Sequence, residues 1–138
     1  MPNVNKMLVI DDDPIVGLLA QRTNHRVQLA EQVICFYSAV DGLDYLTSLA
    51  DRQKEAPEVI FLDICMPIVN GWQFLEQFNN FGWSETAIYM LASSTDQEQI
   101  NRAKKVASVE DYIVKPLTVE RLKMIKNDFA SQTVGISH

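Results

Sequence analysis

Asp11-Asp12-Asp13, Asp63 and Lys115 are the residues of this 138-residue chain whose types and placement could do chemistry together. Each stands where a short apolar run stops: Met7-Leu8-Val9-Ile10 before the acid triplet, Val59-Ile60-Phe61-Leu62 before Asp63, and Tyr112-Ile113-Val114 before Lys115. If those runs are neighbouring strands, the acids meet. Like charges about 4 Å apart repel by roughly 1 to 4 kcal/mol per pair, depending on screening. A fold that gathers them needs protons, a cationic side chain or a metal ion as compensation. An oxygen-only ligand set favours a hard cation, and Mg²⁺ commonly takes one or two carboxylates, several waters and a phosphate. Lys115 supplies a fixed positive charge. A carboxylate beside both charges can attack a phosphoryl donor in line and become an acyl phosphate. Asp63 suits the nucleophile because it stands alone at its strand end, and the adjacent Asp11 and Asp12 suit the metal.

The elements that must position these residues follow from hydrophobic pattern. Five apolar runs, near Met7–Ile10, Val33–Tyr37, Val59–Leu62, Ala87–Leu91 and Asp111–Val114, read as strands. Continuous apolar runs are what strands buried on both faces look like. Between them lie helical patterns from about Pro14 to Ala30, Ala39 to Ala50, after Asn70-Gly71, Thr95 to Ala107, and Val119 to Ala130. Pro14 fits a first helical turn, and Ser38 and Thr118 fit N-caps. Alternation of this kind predicts an α/β fold with a five-stranded parallel sheet and five helices, doubly wound. In such sheets functional groups gather beyond the carboxyl ends of the strands, where strand order reverses. One such acid alone reads as a solvated loop cap; the whole set at one sheet edge does not.

Bulk composition narrows the function classes. A net charge of −6 argues against binding a phosphate backbone. Cys35 and Cys65 have no clustered Cys or His and read as reduced thiols. No apolar stretch reaches the ~18–20 residues that span a membrane, so a cytoplasmic protein is expected. One domain over residues 1–130 is expected, with 131–138 as a frayed tail. His25 reads as a helical surface residue, and Trp72, Phe74 and Phe78 as core at helical spacing.

At these motifs the chain resembles the receiver domains of two-component response regulators, of the stand-alone, chemotaxis-regulator-like kind with a flavodoxin-like fold. The matching segments are Met7 to Asp13, Val59 to Pro67, Asn70-Gly71 and Tyr112 to Pro116, and the resemblance covers about residues 6 to 130. It implies that Asp63 is the phosphoacceptor, supplied by a histidine kinase or histidine phosphotransfer protein. It implies Mg²⁺ ligation by the Asp12 and Asp63 side chains, by Asp11 mostly through water and by the Cys65 backbone carbonyl. Lys115 would contact the phosphoryl group, Tyr112 would be the switch aromatic, and Lys115-Pro116 would be cis, which costs an X-Pro bond only about 0.5–1 kcal/mol. A switch hydroxyl is also implied. Counting forward from the fourth run places it on Ala92, and counting back from Lys115 places it on Ser93; Ser93 is the expected residue.

Such a chain is a phosphoacceptor rather than a dedicated enzyme, and its output is expected through a downstream protein. Two other readings were compared. A phosphatase with an aspartyl nucleophile would use Asp-x-Asp, with the second Asp as acid/base; here the residue two past Asp63 is Cys65. A receiver-like binding module that is never phosphorylated would not need Asp12, Asp63 and Lys115 together.

Overall fold

In the computed structural model, which describes residues 2–66, 68–93 and 97–136, the apolar runs become parallel strands. β1 (Val4–Ile10), β2 (Ala30–Phe36), β3 (Val59–Asp63), β4 (Ala87–Ala92) and β5 (Asp111–Val114) form one sheet in the order β2-β1-β3-β4-β5. Helices α1 (Pro14–Val27), α2 (Ala39–Asp51), α3 (Gly71–Phe78), α4 (Gln97–Lys105) and α5 (Val119–Ile136) follow the strands in turn. This is the expected doubly wound fold. Strand order reverses at β1, which pairs with β2 on one side and β3 on the other, so a crevice opens beyond the carboxyl ends of β1 and β3.

The pleat divides the core in two. Leu8, Ile10, Ile60, Leu62, Met90 and Ala92 face α2, α3 and α4, whereas Met7, Val9, Phe61, Leu91 and Ile113 face α1 and α5. Successive residues of each central strand thus point to opposite layers, the period-two pattern of a strand. Phe61 and Phe74 are fully buried, one in each layer. Among the described residues no helix is long and apolar enough to cross a membrane.

Several boundaries differ from the sequence expectation for identifiable reasons. α1 stops at Val27, before Ala30, because Gln28 turns left-handed (φ 61°) and donates its N–H to Asn24 O at 2.6 Å. β2 can then begin at Ala30, ahead of Val33. Its opening residues Glu31 and Gln32 are exposed, as an edge strand permits, and that polarity hid them. Tyr37 lies beyond β2 and is exposed. α4 ends at Lys105 and α5 continues to Ile136, past the expected Ala130. Thr95, expected at the start of α4, lies outside the described residues. The Lys115-Pro116 bond is cis.

α3 is seated by local chemistry. Asn70 accepts the Gln73 N–H at 3.0 Å and donates its own N–H to Gln73 Oε1 at 2.9 Å, a reciprocal capping box. The Gly71 N–H then reaches Ile64 O at 3.1 Å. A Cβ on Gly71 would lie 2.6 Å from Asp63 O and 3.1 Å from Ile64 Cα. Both contacts are backbone and cannot swing away. Gly71→Ala is therefore expected to lower stability in urea denaturation by about 1–3 kcal/mol; a loss below about 0.5 kcal/mol would show that the α3–β3 approach is looser than described.

Candidate metal and phosphoryl site

Strand parity aims the site. In β1, Met7 and Val9 face the α1/α5 layer, and the next residue of that parity is Asp11. In β3 the same parity runs Val59, Phe61, Asp63; after β4 it runs Tyr89, Leu91, Ser93; after β5, Ile113, Lys115. The four side chains needed at one place leave four different elements toward one layer. Ala92 belongs to the opposite layer, where it packs in the core. Hydrogen bonds hold the strand ends in line: Asp11 N–H to Phe36 O at 3.1 Å, Ile64 N–H to Leu91 O at 3.1 Å, and Lys115 N–H to Ala92 O at 2.9 Å.

Asp11, Asp12, Asp63, Cys65, Ser93 and Lys115 line one cleft of about 220 Å³, together with neighbouring backbone. Every residue named from the sequence as phosphoacceptor, metal ligand or hydroxyl thus borders a single space. Tyr112 does not border it: it is half-buried against the α2/α3/α4 layer, with Lys104 Nζ 5.4 Å from its ring centroid. Asp13, whose own task the sequence did not separate from its neighbours, caps α1. Its carboxylate accepts the Ile15 N–H at 3.0 Å, and its N–H donates to Asp11 Oδ1 at 2.9 Å. The Asp-Pro pair at the helix start was the available signal.

Charge dominates the cleft. Asp11 and Asp63 are 2% and 5% exposed, so water screens them poorly. One oxygen from each of Asp11, Asp12 and Asp63 falls within 4.8 Å of the others. Lys115 Nζ is 2.7 Å from Asp11 Oδ2 and 3.4 Å from Asp63 Oδ1. The Asp11 contact is the closer of the two ion pairs. Burial, then the Asp11 charge, pushes the Asp63 carboxyl up to about 6; Lys115 and the Cys65 N–H, 3.2 Å from Oδ1, pull against that rise. Burial alone would lower the Lys115 ammonium, but the Asp11 and Asp63 carboxylates outweigh it and hold it above its ordinary value.

The donor set fits a hard divalent ion. Three carboxylates against one ammonium leave two negative charges over. Oxygens about 2.1 Å from Mg²⁺ lie at most about 4.2 Å apart across it. The 4.8 Å spread therefore needs only a sub-ångström closure or one water in place of a direct ligand.

Comparison with known proteins agrees with this geometry. Residues 7–126 match the model of the response regulator receiver domain family. The chain is 32% identical over 120 residues to Protein PilG of Pseudomonas aeruginosa, a match covering 85% of this chain and 81% of PilG. It is 30% identical over 132 residues to the probable C4-dicarboxylate response regulator DctR of Priestia megaterium, covering 95% of this chain and 54% of that protein. The crystal structure of a two component response regulator from Cytophaga hutchinsonii superposes with a TM-score of 0.83 at 27% identity, over 93% of this chain and 98% of the other.

The raised Asp63 carboxyl has a consequence for stability. Between about pH 4 and pH 6 the metal-free native state holds a proton that the unfolded chain has released. Stability therefore falls as pH rises through that window, by about 2–3 kcal/mol. In chelator, Asp63→Asn should flatten this slope and unfold at higher urea than the parent protein at pH 7. An equally steep slope in the variant would place the titrating group elsewhere.

Proposed function

The chain belongs to the response regulator receiver domain family of two-component phosphorelay signalling, and from that premise we propose that Asp63 accepts a phosphoryl group from a histidine kinase or a histidine phosphotransfer protein. The observation that carries this reading is the meeting of Asp11, Asp12, Asp63 and Lys115 around one cleft.

Asp63 Oδ1 accepts the Cys65 N–H and faces Lys115. Among the described residues Asp63 Oδ2 accepts no hydrogen bond, which leaves it a lone pair for attack. In the proposed step that oxygen attacks phosphorus in line. The new O–P bond forms as the donor's P–N bond breaks, and the departing imidazole takes up a proton from solvent. The Lys115 ammonium offsets charge on the phosphoryl oxygens throughout. Mg²⁺ would be held by the Asp12 and Asp63 side chains, by Asp11 through water and by the Cys65 backbone carbonyl; when bound it would neutralise the remaining phosphoryl charge.

Ser93 is the proposed switch hydroxyl: both Ala92 and Ser93 border the cleft, but Ala92 carries no hydroxyl and packs in the other layer. Drawn toward the phosphoryl group, it would vacate space that the half-buried Tyr112 ring can enter. That exchange shifts a population across α4, β5 and α5 rather than building a new structure. The chain on this reading is a cytoplasmic phosphoacceptor that promotes its own phosphorylation and dephosphorylation, not a dedicated enzyme. It signals through a downstream protein and binds neither nucleic acid nor membrane.

Incubation with phosphoramidate and Mg²⁺, followed by intact-mass measurement, tests the assignment. A gain of one phosphoryl group is expected, lost in Asp63→Asn and in chelator, and reached about 10- to 100-fold more slowly in Lys115→Ala. A gain that survives Asp63→Asn would remove Asp63 from the role. No gain in the parent chain, with a histidine phosphodonor protein also failing, would favour a binding module that is never phosphorylated.

A further inference from the structure

At the amino-terminal edge of the sheet, opposite Asp63, Trp83 stands between two open grooves. One, of about 520 Å³, passes Glu55 and Glu85; the other, of about 400 Å³, passes Ser108 and Glu110. Trp83 and its neighbours line both, so the two form one trough across the strand starts. Phe81 stacks on the indole at 4.7 Å between centroids and 16° between planes, and Phe78 packs at 5.9 Å. The ring is therefore held in place while remaining half-exposed.

Thr86 Oγ1 in the trough donates to Pro57 O at 2.8 Å, but some other polar groups there have no partner among the described residues. Among the described residues, Glu55, Glu85 and Glu110 form no ion pair, and nothing accepts the Trp83 indole N–H. Glu58 is different: it accepts the Asn5 N–H at 2.7 Å and the Lys6 N–H at 3.2 Å, so it belongs to the fold.

Glu55, Glu58, Glu85 and Glu110 outnumber Lys54 along the trough, and an indole within such an acidic excess selects a cation. A guanidinium fits better than an ammonium, because it stacks on the ring and donates in a fork to a carboxylate. The half-exposed indole adds an N–H donor suited to a peptide carbonyl. We propose that the Trp83 trough docks an extended, arginine-bearing segment of a partner protein. Because it lies at the sheet edge remote from Asp63, such a segment and a phosphoryl donor can occupy the chain together. The proposal rests on the trough alone and holds whether or not Asp63 is phosphorylated.

Fluorescence anisotropy of a labelled arginine-bearing nonapeptide with the full chain at low ionic strength tests it. The expected Kd is on the order of 10–100 μM, with no binding of the same peptide carrying Glu in place of Arg. Glu85→Lys/Glu110→Lys should weaken binding about tenfold or more, and Trp83→Phe severalfold, with urea midpoints confirming folded variants. Asp44→Lys/Glu76→Lys, which reverses two exposed acids elsewhere, should bind as the parent chain does. Peptide-induced amide shifts in the parent chain should centre on Trp83 and Ser108, a readout that needs no variant to fold. Absence of binding, equal loss in the Asp44/Glu76 protein, or amide shifts scattered over the surface would overturn the proposal.

Discussion

Asp11, Asp12 and Asp63 present their oxygens within 4.8 Å of one another, with only Lys115 among them as cation. This uncompensated charge is the constraint on which the rest of the structure depends. It opposes folding, since two of the acids are buried and poorly screened charges at this spacing cost energy that the core must supply. The rise of the Asp63 carboxyl to about 6 is a direct expression of that cost. Structural ion pairs normally relieve charge; here the relief is incomplete, and a site left with two negative charges in excess suits a divalent ion. The same balance explains why Lys115 touches both buried acids instead of one.

The scaffold converts a one-dimensional pattern into that cluster by two devices. Parallel pairing of β1 with β3 and β3 with β4 puts their carboxyl ends side by side. The pleat then sends Asp11, Asp63, Ser93 and Lys115 toward the α1/α5 layer while Ala92 turns into the other. Gly71 lets α3 come within backbone contact of Asp63 and Ile64, so Asp63, the proposed phosphoacceptor, sits on a strand end clamped from its own loop. None of these features requires a mobile lid. Ser93 and Tyr112, the residues proposed to respond, sit at and beyond the rim of this hydrogen-bonded edge.

Much of this was legible in the chain itself. Continuous apolar runs mark strands buried on both faces, so β1, β3, β4 and β5 were readable, and the acids and lysine that stop them fell at one edge by the logic of parallel sheets. β2 was read short because Ala30-Glu31-Gln32 is polar, which an edge strand tolerates and a pattern search does not reward. The choice between Ala92 and Ser93 could not be made by counting, because loop lengths on either side give different answers. It follows at once from which layer Leu91 and Ala92 face. The Gly71 contact and the Asn70–Gln73 capping box are three-dimensional facts with only weak sequence shadows. The sequence pattern did not single out Trp83; its half-exposed place between two grooves depends on how the loops before β3, β4 and β5 assemble.

The two edges of the sheet now have opposite electrostatic characters in use, though both are acidic. At the carboxyl edge the acids converge within one ion's reach and face a lysine; at the amino edge the glutamates are spread along a trough and face an indole. A Mg²⁺ titration followed by backbone amide signals distinguishes these most directly and tests the central claim. A single saturable site is expected, one ion per chain, with the largest shifts at Asp11, Asp12, Asp63, Cys65 and Lys115, and with saturation lost in Asp12→Asn. Shifts that grow without saturating, or that spread equally over Glu55, Glu85 and Glu110, would contradict the account.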